Sequence, residues 1–322
     1  MRRRNHVNGD AQQPTRYLVT GSSGLVGTAL TSFLTARGGL VTRLVRRAAP
    51  ESVSPADATR SWDPAAGRLD PDAVSGFDAV IHLAGAGIAD ARWSAERKRL
   101  IRDSRVGGTE TLARALAKAD SPPRVLVAAS AVGYYGDRGD VLLDEGSAPG
   151  FGFLAEVGAA WERAAAPAEE AGIRLVSLRI GMVLTSAGGA LHRMLLPFRL
   201  GLGGPLGTGR QYWSWITLGE LLDVILHVST TEALSGPVNA VAPGAVRNSE
   251  FTAALARVLR RPAVLPLPGF ALRLLLGEMA DELLLASTRV RPARLLESGY
   301  EFRHADLEPA LRSVLSRQGD PS

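Results

Sequence analysis

Cysteine is missing from all 322 positions. Its absence rules out disulfides, thiolate nucleophiles and cysteine-ligated zinc. Lysine is almost missing: Lys98 and Lys118 are the only two, so the positive charge is carried by arginine. The five histidines (His6, His82, His192, His227, His304) are scattered without paired spacing, which removes the usual basis for a metal site. No apolar run approaches the ~18–20 residues that span a bilayer, so no membrane partner is expected. There is no Gly-x-Ser-x-Gly, which removes an esterase reading. Net charge is only +5, and the first sixteen residues hold Arg2, Arg3, Arg4 and Arg16 against Asp10. The body is therefore close to neutral, and no nucleic-acid surface is expected. Met1 to Thr15 lacks an apolar core of its own and reads as a disordered tail rather than a secretory signal. A cytoplasmic protein is the expectation.

What is present is an alternation. Apolar strands are expected at Tyr17–Thr20, Leu40–Val45, Ala79–Leu83, Arg124–Ala129, Arg174–Ile180 and Val238–Ala240, with a weaker one around Trp62. Helices fill the gaps at Leu25–Arg37, Ser94–Ala119, Phe153–Glu170 and Leu218–Thr230. Such alternation predicts an α/β fold, a Rossmann-type doubly wound parallel sheet covered on both faces. The pattern lapses after Leu184. Helical stretches at Asn248–Arg260, Gly269–Leu276, Asp281–Ala286 and Pro292–Glu297 predict a smaller, mostly helical C-terminal lobe. The expected division is a dinucleotide-binding domain over 16–182, returning at about 206–245, and a substrate-binding lobe over 183–205 and 246–315.

The strand Tyr17-Leu18-Val19-Thr20 runs into Gly21-Ser22-Ser23-Gly24-Leu25-Val26-Gly27 and then into an amphipathic helix. Glycines at spacing three in that context form a phosphate-binding turn. Gly21 permits the sharp exit, Gly24 lets the backbone approach a diphosphate, and Gly27 lets the helix pack on the sheet. Gly21, Ser22, Ser23, Gly24, Leu25 and Val26 are the expected pyrophosphate contacts. The second strand ends Val45-Arg46-Arg47, with Val45 where an NAD site usually has an acid. Arginine there suits a ribose 2′-phosphate, so NADP(H) is the expected cofactor, held by Arg46 first and Arg47 second. The run Leu83-Ala84-Gly85-Ala86 ends the next strand with small residues that let the chain pass close to the cofactor. His82, inside an apolar strand, reads as a packed histidine.

The strand ending Ala129-Ser130-Ala131 leads to Val132-Gly133-Tyr134-Tyr135-Gly136. Ser130 can polarise a carbonyl or be a plain strand-end serine; Tyr134 or Tyr135 can donate a proton. In Gly209-Arg210-Gln211-Tyr212-Trp213-Ser214-Trp215, Arg210 and Gln211 suit a phosphate or carboxylate. Trp213 or Trp215 either stacks on a ring or fills the core of the second lobe.

As a set these motifs resemble the extended, atypical short-chain dehydrogenase/reductase superfamily. They resemble more closely the bacterial epimerase family with its C-terminal module of unknown function. The matching segments are Thr20–Gly27, Ser61-Trp62-Asp63-Pro64, His82–Ile88, Ser130–Gly136, Arg179-Ile180-Gly181, Trp213-Ser214-Trp215-Ile216 and the tail from about Asn248. The resemblance covers roughly 16 to 315 and implies Trp62 as a further cofactor contact. Typical superfamily members carry Tyr-x-x-x-Lys on the helix after the fifth strand. Here Asp144 to Gly172 holds no tyrosine and no lysine, and the two positions fall on Leu154 and Gly158. Three functions stay open: an NADP(H)-dependent oxidoreductase of a small carbonyl or hydroxyl compound, a sugar-nucleotide epimerase, and a non-catalytic NADP(H) sensor.

Overall fold

The computed structural model describes residues 13–46 and 58–316. Strands β1 (Arg16–Thr20), β2 (Leu40–Val45), β3 (Thr59–Ser61), β4 (Ala79–His82) and β5 (Val125–Ala131) alternate with helices α1 (Leu25–Ala36) and α2 (Ala95–Leu116). After β6 (Leu142–Leu143) come α3 (Phe153–Arg163), α4 (Ala166–Glu170), β7 (Arg174–Ile180), β8 (Met182–Leu184) and α5 (Gly189–Arg199). The chain continues through β9 (Tyr212–Trp213), β10 (Trp215–Thr217), α6 (Leu218–Thr230), β11 (Gly236–Ala240), β12 (Val246–Arg247) and α7 (Asn248–Leu259). It closes with α8 (Gly269–Leu276), α9 (Glu278–Ala280), β13 (Arg289–Val290), α10 (Ala293–Glu297) and α11 (Leu307–Leu315).

Seven strands pair in the order β11-β7-β5-β4-β1-β2-β3, every pair parallel. The strand order reverses on either side of β1 and β4, which sets the carboxyl ends of those two strands at the switch point where open α/β sheets hold ligands. One face is sealed by Leu30 and Leu34 of α1 and Leu221, Leu222 and Ile225 of α6, packed on Val19, Ile81 and Val127. The other is sealed by Leu112 and Leu116 of α2 with Trp62 and Phe77, packed on Leu18, Val80 and Leu126. Burial on both faces is why these strands are apolar without alternation. A second core gathers Leu191 and Leu195 of α5, Trp213, Trp215, Phe251 of α7 and Leu311 of α11.

Two expectations shift. The helix expected over Phe153–Glu170 breaks between α3 and α4, because Pro167 lies in the first turn of α4 and has no N–H to continue α3. Helices α5 and α11 were not expected. In α5, Pro197 and the glycines at its start hide the pattern. In α11, Leu307, Ala310, Leu311 and Val314 have plain helical spacing and all are buried.

Candidate functional site

Thr20 closes β1, and the chain leaves the sheet at Gly21 with φ +66°. A Cβ on Gly21 would lie 2.7 Å from the Leu83 carbonyl carbon, so only glycine fits beside the end of β4. Gly27 sits in the first turn of α1 directly over the Gly21 carbonyl, and a Cβ there would overlap that oxygen. Gly24 heads the helix and supplies no side-chain cap, and the first turn holds no acidic residue. The N–H groups and positive dipole end of α1 are thus left for an external anion. This cradle fits a pyrophosphate. Ser22 is buried beneath it, Ser23 is exposed, and Leu25 and Val26 are half-buried.

A buried polar chain runs under the turn. The Thr20 hydroxyl accepts the N–H groups of Leu83 (3.1 Å) and Ala84 (3.2 Å) and lies 2.7 Å from His82 Nδ1. With both lone pairs used, its proton goes to Nδ1. His82 is then the Nε2–H tautomer and donates to Thr109 Oγ1 at 3.0 Å, which also accepts from Trp161 Nε1 at 2.9 Å. Burial pushes the His82 pKa down to about 4. His82 is a neutral fixture of the strand end, and it fixes the backbone of Leu83 and Ala84. Ala86 is held by an N–H bond to Ser104 Oγ at 3.1 Å. Gly85 is exposed and abuts Arg105.

At the far end of β2, Arg46 is exposed beside a cleft of about 340 Å³ whose floor includes Trp62. Trp62 stacks edge-on to His82, ring centroids 6.1 Å apart, which ties this cleft to the strand end just described. The cleft's other charges are engaged: Arg68 pairs with Asp63 at 2.9 Å, and Asp70 caps the 71–74 turn. Arg46 forms no ion pair among the described residues and is the cation left for a phosphate. Arg47 lies outside the described residues.

At the end of β5 the geometry separates three candidates that the sequence had grouped. Ser130 is 3% exposed and donates to Glu162 Oε1 at 2.7 Å. Arg179 clamps the same carboxylate from both sides, Nε to Oε1 and Nη2 to Oε2, each at 2.8 Å. Burial works against the Arg179 charge, but the Glu162 carboxylate outweighs it and raises the pKa above the ordinary arginine value. Arg179 Nη1 donates to the Tyr135 hydroxyl at 2.9 Å, which in turn lies 2.8 Å from Asn239 Oδ1. Tyr135 is fully buried, and burial pushes its pKa up to about 12. Ser130 and Tyr135 thus have their hydroxyls engaged inside a buried network.

Tyr134 is different. It is half-buried, its ring stacks 3.6 Å from the Arg179 guanidinium, and its hydroxyl makes no protein hydrogen bond among the described residues. Its backbone packs closely on α3: a Cβ on Gly158 would lie 3.2 Å from Tyr134 Cα. Leu154 packs the same way under Gly133. The turn 132–135 lies above α3, and Arg179 approaches it from β7.

The residues expected for substrate are dispersed. Gln211 is buried, and its amide donates to the carbonyls of Leu206 and Leu284, each at 3.0 Å. Trp213 is buried edge-on to Phe251, with Nε1 on the Leu284 carbonyl at 3.3 Å. The Gln211 amide nitrogen and the Trp213 indole both pin the 281–285 turn. Arg210 stays exposed. Two residues the sequence reading missed carry weight. Arg179 is the buried charge of β7, and such a charge needs a partner, here Glu162. Glu282, from the C-terminal lobe, accepts the N–H groups of Phe153 (2.9 Å) and Leu154 (3.0 Å) and so caps α3. No sequence signal marks that long-range contact.

Residues 17–240 match the NAD dependent epimerase/dehydratase family, and 267–314 match a domain of unknown function, DUF1731. An epimerase family protein of Mycobacterium bovis is 44% identical over 301 residues, spanning 94% of this chain and 98% of the relative. The crystal structure of human epimerase family protein SDR39U1 (isoform 2) with NADPH superposes with TM-score 0.85 at 35% identity, covering 94% of this chain and 100% of that one. A nucleoside-diphosphate sugar epimerase from Corynebacterium glutamicum superposes with TM-score 0.74 at 36% identity, covering 92% of this chain and 57% of that one.

Proposed function

The chain belongs to the NAD dependent epimerase/dehydratase family, and from that premise we propose that it is an NADP(H)-binding oxidoreductase of a small carbonyl or hydroxyl compound, working without the Tyr-x-x-x-Lys dyad. The observation that carries the reading is the uncapped α1 N-terminus over Gly21, Gly24 and Gly27, with Arg46, which has no ion-pair partner among the described residues, at the neighbouring strand end. Main-chain N–H groups of 21–26 would hold the pyrophosphate. Arg46, with Arg47, would hold the 2′-phosphate. Trp62 and the run Leu83–Ala86 would flank the adenosine end. The human relative with bound NADPH supports this choice of cofactor.

When bound, NADP(H) supplies or accepts a hydride. The chain's own residues govern the proton. Tyr134 carries the phenol of the turn whose hydroxyl has no partner among the described residues, so it is the candidate donor to a substrate oxygen. The Arg179 guanidinium on its ring face provides fixed positive charge where negative charge develops as that proton leaves. Glu162 and Ser130 act as positioning residues, holding Arg179 in place from below.

A second reading, a non-catalytic NADP(H) sensor, is supported by the lack of tyrosine and lysine from Asp144 to Gly172 beside an intact phosphate turn. Titration calorimetry and turnover separate them. Arg46→Ala should weaken NADPH at least tenfold while NADH changes little, and equal losses refute the cofactor assignment. NADPH oxidation with a carbonyl panel, lost in Tyr134→Phe with cofactor affinity kept, supports the oxidoreductase. Tight binding without turnover on any substrate supports the sensor.

A further inference from the structure

Arg105 of α2 is 8% exposed, yet it pairs with no carboxylate among the described residues. Its Nη1 donates to the carbonyls of Ala86 (2.9 Å) and Ile101 (3.2 Å). Its Nε and Nη2 make no protein hydrogen bond among the described residues. Neither nitrogen is sealed off. Among the described residues, the side-chain polar atoms cut off from solvent without a partner are Arg97 Nε, Glu145 Oε2 and His304 Nδ1. Two donor nitrogens of a buried guanidinium are thus open to a ligand.

A buried cation ordinarily has a counter-ion. The neighbouring charge here is of the same sign. Arg97, on the same helix, donates from Nη2 to the Gly87 carbonyl and to Asp90 Oδ2. Burial, with Arg97 beside it, pulls the Arg105 pKa down to about 10, and no acid stands close enough to oppose them. The Trp161 ring, 5.0 Å from Arg105 Cζ, offsets part of that cost.

Sheet order sets where this charge lies. Strand β4 stands between β1 and β5, so its carboxyl end falls between the phosphate turn after β1 and the Tyr134 turn after β5. Arg105 packs on the backbone there: a Cβ on Gly85 would lie 3.3 Å from Arg105 Cζ. Trp161 is one turn along α3 from Gly158, which abuts Tyr134. Arg46 and its cleft lie on the opposite side of β1, at the end of β2.

We propose that Arg105 is a direct contact of the bound dinucleotide, donating from Nε and Nη2 to oxygens of its nicotinamide mononucleotide half. The inference rests on the NADP(H) reading and names a residue for the stretch between the glycine turn and Tyr134. A guanidinium fork suits paired oxygen acceptors, such as ribose hydroxyls or a phosphate edge.

The test is titration calorimetry of the full chain with NADPH and with adenosine 2′,5′-bisphosphate, which lacks the nicotinamide mononucleotide half. Arg105→Met should weaken NADPH by about tenfold or more and leave the bisphosphate within about twofold of wild type. Arg46→Ala should weaken both. Arg105→Lys keeps the charge without the fork and should fall between wild type and Arg105→Met for NADPH. The proposal is overturned if Arg105→Met leaves NADPH affinity unchanged. It is also overturned if both ligands weaken alike, since Arg105 would then only prop the 85–86 backbone. Thermal melts check that the variants fold. If Arg105→Met does not, Arg105→Lys decides: loss of NADPH affinity with the bisphosphate kept supports the contact, and parallel losses or none overturn it. A wild type that binds neither ligand defeats the NADP(H) reading and this inference with it. A wild type that binds both, with Arg105→Met unaffected, defeats this inference alone.

Discussion

His82 shows how a single residue's environment decides its chemistry. Its ring is locked between Thr20 and Thr109 as a neutral acceptor and donor. Its folded pKa of about 4 lies below its unfolded value, so the unfolded chain binds the extra proton first. Stability is full above pH ~6.5 and is lost as pH falls toward ~4, by roughly 3 kcal/mol from this residue. The melting temperature of wild type should drop through that window, and His82→Gln should flatten the drop. Tyr135 has the opposite sense. Its pKa is raised to about 12, so its contribution is present below the unfolded tyrosine value and fades as pH climbs toward that figure. Tyr135→Phe should cost stability through the severed Arg179 and Asn239 bonds, while Tyr134→Phe, which removes a hydroxyl with no partner among the described residues, should leave the melting temperature within about a degree of wild type. Thermal melts of the two variants side by side distinguish them. In the sequence, Ser130, Tyr134 and Tyr135 were equivalent hydroxyls. Only the partner of each one, supplied from α3, β7 and β11, separates buried fixtures from a candidate donor.

At the scale of elements, the glycine turn was the most legible feature, because its demands are local. A strand, a tight exit and a helix packed on that exit each require glycine at a fixed spacing. Gly27→Ala forces a methyl into the Gly21 carbonyl and must displace α1 from the turn. We expect NADPH affinity to fall by at least two orders of magnitude, with a stability loss of about 2 kcal/mol, read by calorimetry and urea melts. The strands were also legible, since burial on both faces writes itself as unbroken apolar runs such as Val125–Ala129. The second lobe was less so. Its two-residue strands β6, β9, β12 and β13 are too short to display a period. The roles of Gln211 and Trp213 depend on Leu284, more than seventy positions away.

Across the whole molecule, the two cores are joined by side chains that finish one another's elements. Lys98 of α2 reaches Glu278 of α9 at 2.7 Å, and its ammonium also sits 4.7 Å over the Phe153 ring. Glu282 caps α3 beside it. Glu282→Ala strips both N–H groups of their acceptor and should lower stability by about 1–2 kcal/mol. Hydrogen exchange should then speed at Phe153 and Leu154 more than in β1 or β4; uniform exchange would argue against a local cap.

The partners in that cap are separated by 129 and 128 positions along the chain. Chains are made from the amino end, and folding follows emergence. The glycine cradle can form as soon as β1, α1 and β4 are out, but the helix beneath Tyr134 stays unfinished until the 281–288 segment has been synthesised. The glycine turn can therefore be complete well before the start of α3 is capped.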